Sequence, residues 1–169
     1  MELTKKERLI LYNQYEILKK LDPDGEENYK IDQEILINGF KANYDDLASG
    51  FMDETSVEVS EFVIDVLQMY RTLNNSYREL NEEEKNEINL YDISFKGFDG
   101  NEEIDYYMYA NFYLEDLGRF DELKESEHYA IDSHRNMVNR YRRMLSLWEE
   151  VRTSKYDLLT LRNIQYIIG

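Results

Sequence analysis

The scarcity of proline constrains the fold of this chain more than any other feature. Its 169 residues include one proline, Pro23, whereas an average chain carries about 5%. Proline damages the interior of a helix more than any other element, so its scarcity favours helices. The one that is present lies in LDPDGEE, between two segments of helical periodicity, where a helix should end. The sequence therefore predicts an all-α fold: a single-domain bundle of roughly six to eight helices over residues 1–169, with little or no β-structure.

The first half of the chain shows three helical patterns. TKKE at residues 4–7 reads as a capping box, which predicts a helix that begins at Thr4 and ends before Pro23. A second helix is expected over about residues 24–40, with Gly39 as its C-terminal cap. The third pattern has apolar residues at alternating spacings of four and three, and TSVE at 55–58 predicts its cap. This apolar stripe consists of Val59, Val63, Val66, Tyr70, Leu73, Tyr77 and Leu80, with Thr72 on the polar face.

The second half predicts further helices. NEEEKNE at 81–87 is typical of an exposed turn or short helix, and YDISF at 91–95 has weak strand character. Residues 101–117 are apolar nearly all the way round, and residues 133–151 form an amphipathic helix for which Ser133 is the expected cap. Thr160 is expected to cap a last helix.

The stretch FKGFDGNEE at 95–103 combines glycines with acidic residues and raises the question of a metal or phosphate site. An EF-hand that starts at Asp99 would need glycine at its sixth position and glutamate at its twelfth, where Ile104 and Ala110 stand. The phosphate-binding glycine motifs are also absent. We therefore interpret the stretch as a bend, freed by Gly97 and Gly100, that begins the next helix at Asp99 or Asn101 and is anchored by its two phenylalanines.

Charge and cysteine content exclude several classes of function. The chain has 20 basic and 36 acidic residues, a formal net charge of −16, which repels nucleic acid and anionic membranes. It has no cysteine, so disulfides, thiolate catalysis and cysteine-based metal sites are excluded. No apolar stretch approaches the ~20 residues of a membrane helix, and the N-terminus lacks the pattern of a signal peptide. We expect a cytoplasmic protein that binds neither membranes nor nucleic acid directly.

The two histidines do not complete a metal site. Glu125-x-x-His128 matches half of a di-iron motif, but Ile131 stands where the motif around His134 would need its glutamate. A zinc site built on His128 and Asp132 would lack an identifiable third ligand. We therefore expect no metal and no cofactor.

Two segments indicate interaction surfaces. The helix expected at 101–117 is rich in tyrosine, a residue that suits interfaces, and predicts a homo-oligomer. A further alternative is an interaction protein that binds a partner through Tyr106 or Tyr109 of this helix. HRNMVNRYRR at 134–143 is the one basic segment in an acidic chain. Its arginines either pair with the excess of acids in the protein or line a pocket for an anion, with Tyr141 or Trp148 stacking nearby.

Six short segments resemble, in order and spacing, the YfbU family. They are RLILYNQYEILKKLDP (8–23), ILINGF (35–40), IDVLQMYRTL (64–73), FKGFDG (95–100), GRF (118–120) and YRRMLSLW (141–148). The resemblance spans essentially the whole chain. It implies a bacterial, all-helical and functionally uncharacterised family, in which some members resemble this domain fused to a helix-turn-helix. It therefore implies a ligand-sensing or partner-binding role and supplies no catalytic residues.

Together these patterns predict a non-enzymatic ligand-sensing or partner-binding module whose small-molecule or protein partner the sequence does not identify. The alternative is an enzyme or binding protein that acts on a small anionic or nucleotide-type ligand through the arginine cluster. In both cases the predicted ligand-binding residues are Arg135, Tyr141, Arg142, Trp148, Arg119, Arg8, Asn13 and Gln14.

Overall fold

The computed structural model describes residues 1–154 and 157–169, which form two compact units, Met1–Glu54 and Thr55–Gly169. Both units are helical, and the only β-type pairing among the described residues is an isolated parallel bridge between Phe98 and Asp132. The predicted all-α fold is therefore confirmed, whereas the single domain stays a prediction. Among the described residues, no helix is both long and apolar enough to cross a membrane.

The first unit is a helical hairpin. It consists of α1 (Lys5–Leu21), a 3₁₀ turn (Pro23–Gly25) and α2 (Glu26–Asn38), followed by two short 3₁₀ turns (Lys41–Asn43 and Asp46–Ala48). The predicted capping box is confirmed, since the Thr4 hydroxyl accepts from the Glu7 amide and the Glu7 carboxylate accepts from the Thr4 amide. Gly39 ends α2 in the left-handed conformation, as expected.

The second unit is built around a long central helix. Its helices are α3 (Val57–Glu79), α4 (Glu82–Lys85), α5 (Ile104–Asn111) with a π-helical extension (Phe112–Asp116), a 3₁₀ helix (Asp121–Glu125), α6 (Val138–Val151) and α7 (Leu161–Ile168). Helix α3 packs against α5, α6 and α7. Thr160 caps α7 as predicted, because its side chain accepts from the Asn163 amide.

Two details of α3 differ from the prediction. Its cap is Ser56, whose hydroxyl accepts from the Val59 amide, so the expected capping box at 55–58 is wrong by one residue. Thr72, which was expected on the polar face, is buried, and its hydroxyl donates to the Gln68 carbonyl at 3.0 Å. Because three other helices surround α3, its buried face is wider than the apolar stripe alone indicates.

Helix α6 begins later than the sequence indicates. It starts at Val138 and not near Ser133, so the predicted cap is wrong. His134 has a φ of 50°, the left-handed conformation, which a continuing right-handed helix cannot contain. The stretch 91–95 is also not a strand; it is a turn that leads into extended backbone.

Candidate functional site

The segment that continues from this turn runs through the core of the second unit. Residues 93–99 are all buried, including Phe95 and Phe98, so the phenylalanine anchors are confirmed. Its backbone is held by a neighbouring extended segment: the Ala130 amide donates to the Phe95 carbonyl at 3.2 Å, and the Phe98 amide donates to the Ile131 carbonyl at 3.2 Å. The segment predicted as an anchored bend is therefore a buried extended strut, residues 93–99, between α4 and α5.

Gly97 and Tyr141 fix this strut in place. Gly97 has a φ of 73°, and a Cβ atom there would lie 1.9 Å from the Ile131 carbonyl oxygen, so no other residue fits. The Tyr141 hydroxyl donates to the Gly97 carbonyl at 3.1 Å and accepts from the Lys96 amide at 3.3 Å. Tyr141 is fully buried, and burial raises the pKa of its hydroxyl well above the usual range. Its role here is to bind the backbone of the strut.

Lys96 projects from the strut toward a surface cleft. The residue is only 7% exposed, and its ammonium donates to the His128 carbonyl at 2.6 Å and lies 3.7 Å from the centre of the Tyr91 ring. No carboxylate of the described residues lies within ion-pair distance of it. Burial lowers the pKa of the Lys96 ammonium, the nearby charges of Arg135 and Arg140 lower it further, and the charge of Asp92 opposes them. Lys96 is thus a buried cation that forms no ion pair among the described residues, and the nearby Asp92 pairs instead with Arg140 at 3.5 Å.

Arg135 brings a second cation to the same cleft. Its guanidinium Nη2 donates to the Tyr91 hydroxyl at 3.0 Å, and it too makes no ion pair with a carboxylate of the described residues. The cleft has a volume of about 330 Å³. It is lined by Tyr91, Lys96, His128, Ala130, Asp132, Ser133 and Arg135.

The one carboxylate in the lining is already engaged. Asp132 Oδ1 accepts from the His134 amide at 2.9 Å and from the Gly100 amide at 3.3 Å. The hydrogen bond from the His134 amide is the main reason that the pKa of Asp132 is lowered. Asp132 therefore organises the loop above the cleft, and the lining carries two cations against one acid.

The structure places the other predicted ligand-binding residues outside this cleft. Arg142 donates to the Tyr106 hydroxyl at 3.4 Å. Trp148 is fully buried, its Nε1 has no hydrogen-bond partner among the described residues, and the Arg152 guanidinium lies 4.4 Å from its ring centre. Arg119 is exposed on the loop that follows the π-helical extension of α5.

Three further predicted residues belong to the helical hairpin. Arg8 donates to the Leu36 carbonyl at 2.8 Å and lines a groove of about 440 Å³ with Lys5, Leu9, Tyr12 and Ile37. Asn13 and Gln14 are exposed on α1. Of the eight predicted residues, only Arg135 lies at the Lys96 cleft, and whether the other seven bind a ligand stays a prediction.

Sequence reasoning missed Lys96, Tyr91 and His128 as members of one site. A signal was present in FKGF, where a lysine stands between two phenylalanines that anchor the core. In extended backbone, neighbouring side chains point to opposite sides, so the lysine should emerge on the side opposite a buried neighbour.

The tyrosine-rich helix α5 is partly absorbed by the core. The Tyr106 ring packs edge-on against Phe62 with centroids 5.4 Å apart and stacks on Phe98 at 5.6 Å. Ile104, Met108 and Phe112 remain exposed. The homo-oligomer predicted from this helix stays a prediction.

Comparison with known proteins places the whole chain in one family. The model of the YfbU domain matches residues 1–169. The chain is similar to the UPF0304 protein MJECS11 of Methanocaldococcus jannaschii, with 37% identity over 160 residues, which covers 92% of this chain and 93% of the relative. That relative is archaeal, whereas the resemblance implied a bacterial family, so a bacterial origin stays a prediction. The match over the full length shows that this chain belongs to the YfbU family.

Proposed function

We propose that this protein is a non-enzymatic module that binds a small anion, such as a phosphorylated or carboxylated metabolite, in the Lys96 cleft. The observation that carries the proposal is Lys96 itself, a cation that is 7% exposed and has no carboxylate partner among the described residues. Removing a charge from water is costly unless an opposite charge or hydrogen bonds compensate for it. One carbonyl bond and one aromatic contact satisfy Lys96 in part, and an anion in the cleft would complete its environment.

Ion pairs are common in this chain because acids outnumber bases, so the cations that lack one can be compared with those that have one. The chain has 36 acids for 20 bases, and nine lysines and arginines of the described residues form an ion pair, Lys30 and Lys124 with two carboxylates each. Lys96 and Arg135 are two neighbouring cations that form none, and Lys96 is the only buried lysine or arginine among the described residues. An arginine fork beside an ammonium suits the oxygens of a phosphate or carboxylate.

The shape of the cleft indicates a small ligand. Its volume of about 330 Å³ is near the lower end of the ~300–1,000 Å³ that small-molecule sites occupy. The Tyr91 and His128 rings meet edge-on with centroids 5.6 Å apart, and both line the cleft. The cleft can therefore receive a compact anion that touches a ring, but it is too small for an extended polymer.

Thermal unfolding with defined anions tests the proposal. Inorganic phosphate, pyrophosphate and citrate are titrated separately, with sodium chloride at matched ionic strength and spermidine as references. Binding to the folded state alone adds RT ln(1 + [L]/Kd), about 2.7 kcal/mol at a concentration of 100 Kd, which raises Tm by several degrees in a chain of this size. We expect at least one anion to stabilise the protein more than chloride does.

Arg135→Gln and Arg143→Gln form a matched pair for this experiment. Each removes one exposed arginine from the same basic segment, but Arg143 does not line the cleft. The stabilisation should fall at least several-fold in Arg135→Gln and persist in Arg143→Gln. Equal stabilisation in both variants, or no anion that exceeds chloride, would contradict the proposal.

We also propose that the protein acts in the cytoplasm, where such metabolites are found; secretion of the native chain would contradict this.

A further inference from the structure

Helix α1 has a second face that the hairpin leaves uncovered. Its inner face is defined by contacts to α2: Gln33 donates to the Tyr12 carbonyl at 3.1 Å and to the Glu16 carboxylate at 2.7 Å. At 100° per residue, the opposite face carries Ile10, Gln14, Ile17 and Leu21. Its three apolar side chains are 48%, 58% and 74% exposed, and α1 has no buried residue at all.

This outer face has the spacing of a coiled-coil seam. The steps from Ile10 to Gln14, Ile17 and Leu21 are four, three and four residues, the pattern of positions that pack between two helices. Residues 9–15 carry no charge, although 33% of the chain is charged. A single amide within such a seam fixes the register and the number of helices that associate. Gln14 takes this position, and its side chain makes no hydrogen bond within the described residues.

We infer that the outer face of α1 binds the same face of a second copy of this chain, antiparallel about a two-fold axis near Gln14. The partner is another copy because the two ends of this face carry opposite net charge, so that two antiparallel copies complement each other. Residues 5–8 hold three cations and one acid, whereas residues 16–30, counted with the ion pairs of Lys19 and Lys30, hold three cations and five acids. Antiparallel docking brings these opposite charges together, and parallel docking would bring like charges together.

The central glutamine supports the same geometry. An amide carries both donors and an acceptor, so Gln14 can bond Gln14 of the partner subunit across the axis. The uncharged stripe also matters because two chains of net charge −16 repel each other elsewhere. Self-association needs a surface without that repulsion, and the uncharged residues 9–15 form such a surface.

The exposed area predicts that this dimer is weak. A fully exposed leucine or isoleucine offers about 60–120 Å² of apolar surface, so the four exposed apolar residues on and beside the outer face offer about 200 Å² per copy. These residues are Ile10, Ile17, Leu18 and Leu21. A stable homodimer buries about 800 Å² per partner, of which about 65% is apolar. We therefore expect dissociation in the micromolar range or above.

Sedimentation velocity of the full chain over a wide concentration range tests the inference, with Ile17→Glu and Ile31→Glu as a matched pair. Both residues are equally exposed, at 58% and 59%, and belong to the same hairpin, but Ile31 lies on α2. We expect Ile17→Glu to raise the dissociation constant at least tenfold and Ile31→Glu to leave it unchanged. A wild-type chain that stays monomeric at all concentrations would overturn the inference. So would a dimer that Met108→Glu, on α5, abolishes and Ile17→Glu does not.

A cross-link tests the two-fold axis itself. Because the native chain has no cysteine, Gln14→Cys introduces a unique thiol. At an antiparallel crossing on this axis, the Cα atoms of the two cysteines lie within the ~4.4–6.8 Å that a disulfide spans. Oxidation should give a covalent dimer with Gln14→Cys and much less with Asn38→Cys, at the end of α2. Equal cross-linking of both variants would contradict the proposed axis.

Discussion

The Glu103 carboxylate accepts a hydrogen bond from the Met137 amide at 2.8 Å, although the two residues are 34 positions apart in sequence. The same oxygen accepts from the Val138 amide at 2.7 Å, and the other oxygen accepts from the Asp99 amide at 3.1 Å. Glu103 is 8% exposed. One buried carboxylate therefore caps α6 and holds the end of the strut that carries Lys96, which links the fold of the second unit to its cleft.

Removing this carboxylate should destabilise the protein strongly. Glu103→Ala leaves three buried or half-buried amides without their acceptor and removes a favourable charge from the start of α6. We expect a loss of about 2–3 kcal/mol in the free energy of unfolding, measured by urea denaturation. Glu102→Ala is the control, because that exposed side chain should change stability by less than about 0.5 kcal/mol. Equal losses in both variants would show that Glu103 is not the cap.

The strut should tolerate no side chain at Gly97. Gly97→Ala adds a Cβ atom 1.9 Å from the Ile131 carbonyl oxygen at a backbone φ of 73°. Clash and backbone strain together predict a loss of at least about 3 kcal/mol. Gly50→Ala, where a Cβ atom would meet nothing within 4 Å, should be nearly neutral. Thermal unfolding of both variants compares them directly, and a mild effect at Gly97 would contradict the buried course of this segment.

Buried tyrosine predicts a loss of stability at alkaline pH. Burial raises the pKa of Tyr141 above its usual value of about 10, so the folded state keeps a proton that the unfolded state releases. This contribution to stability is complete below pH 10 and is lost as the pH rises from there toward the folded-state pKa. Tyr141→Phe removes the titrating group, so its stability should fall less steeply above pH 10 than that of the native chain. Urea titrations at pH 8 to 11 measure the slope, and parallel curves for the two proteins would contradict the expectation.

The fold was largely predictable because its signals are local. Thr4, Gly39 and Thr160 mark helix ends through contacts with residues fewer than five positions away. The start of α6 could not be predicted, since its cap, Glu103, comes from a distant segment, and no local pattern records that bond.

The candidate site was only partly predictable for the same reason. The basic segment pointed to Arg135. Whether this arginine pairs with an acid of the protein or is available to a ligand depends on which carboxylates lie nearby in the tertiary structure. Lys96 and His128 are 32 positions apart and meet only because the strut pairs with residues 130–133. Tyr141 was predicted to stack on a ligand because it is an aromatic residue beside arginines. Its position on α6 instead directs its side chain into the core.

The most direct test of the proposed function is anomalous diffraction from crystals of the native protein soaked in selenate, an analogue of a tetrahedral oxyanion. Binding in the Lys96 cleft predicts a selenium peak about 4 Å from both the Lys96 ammonium and the Arg135 guanidinium, which places selenate oxygens within hydrogen-bond distance of both cations. No such peak is expected in Arg135→Gln. Selenium peaks at other surfaces but none in the cleft, from crystals soaked at the same selenate concentration, would contradict the assignment of this cleft as an anion site.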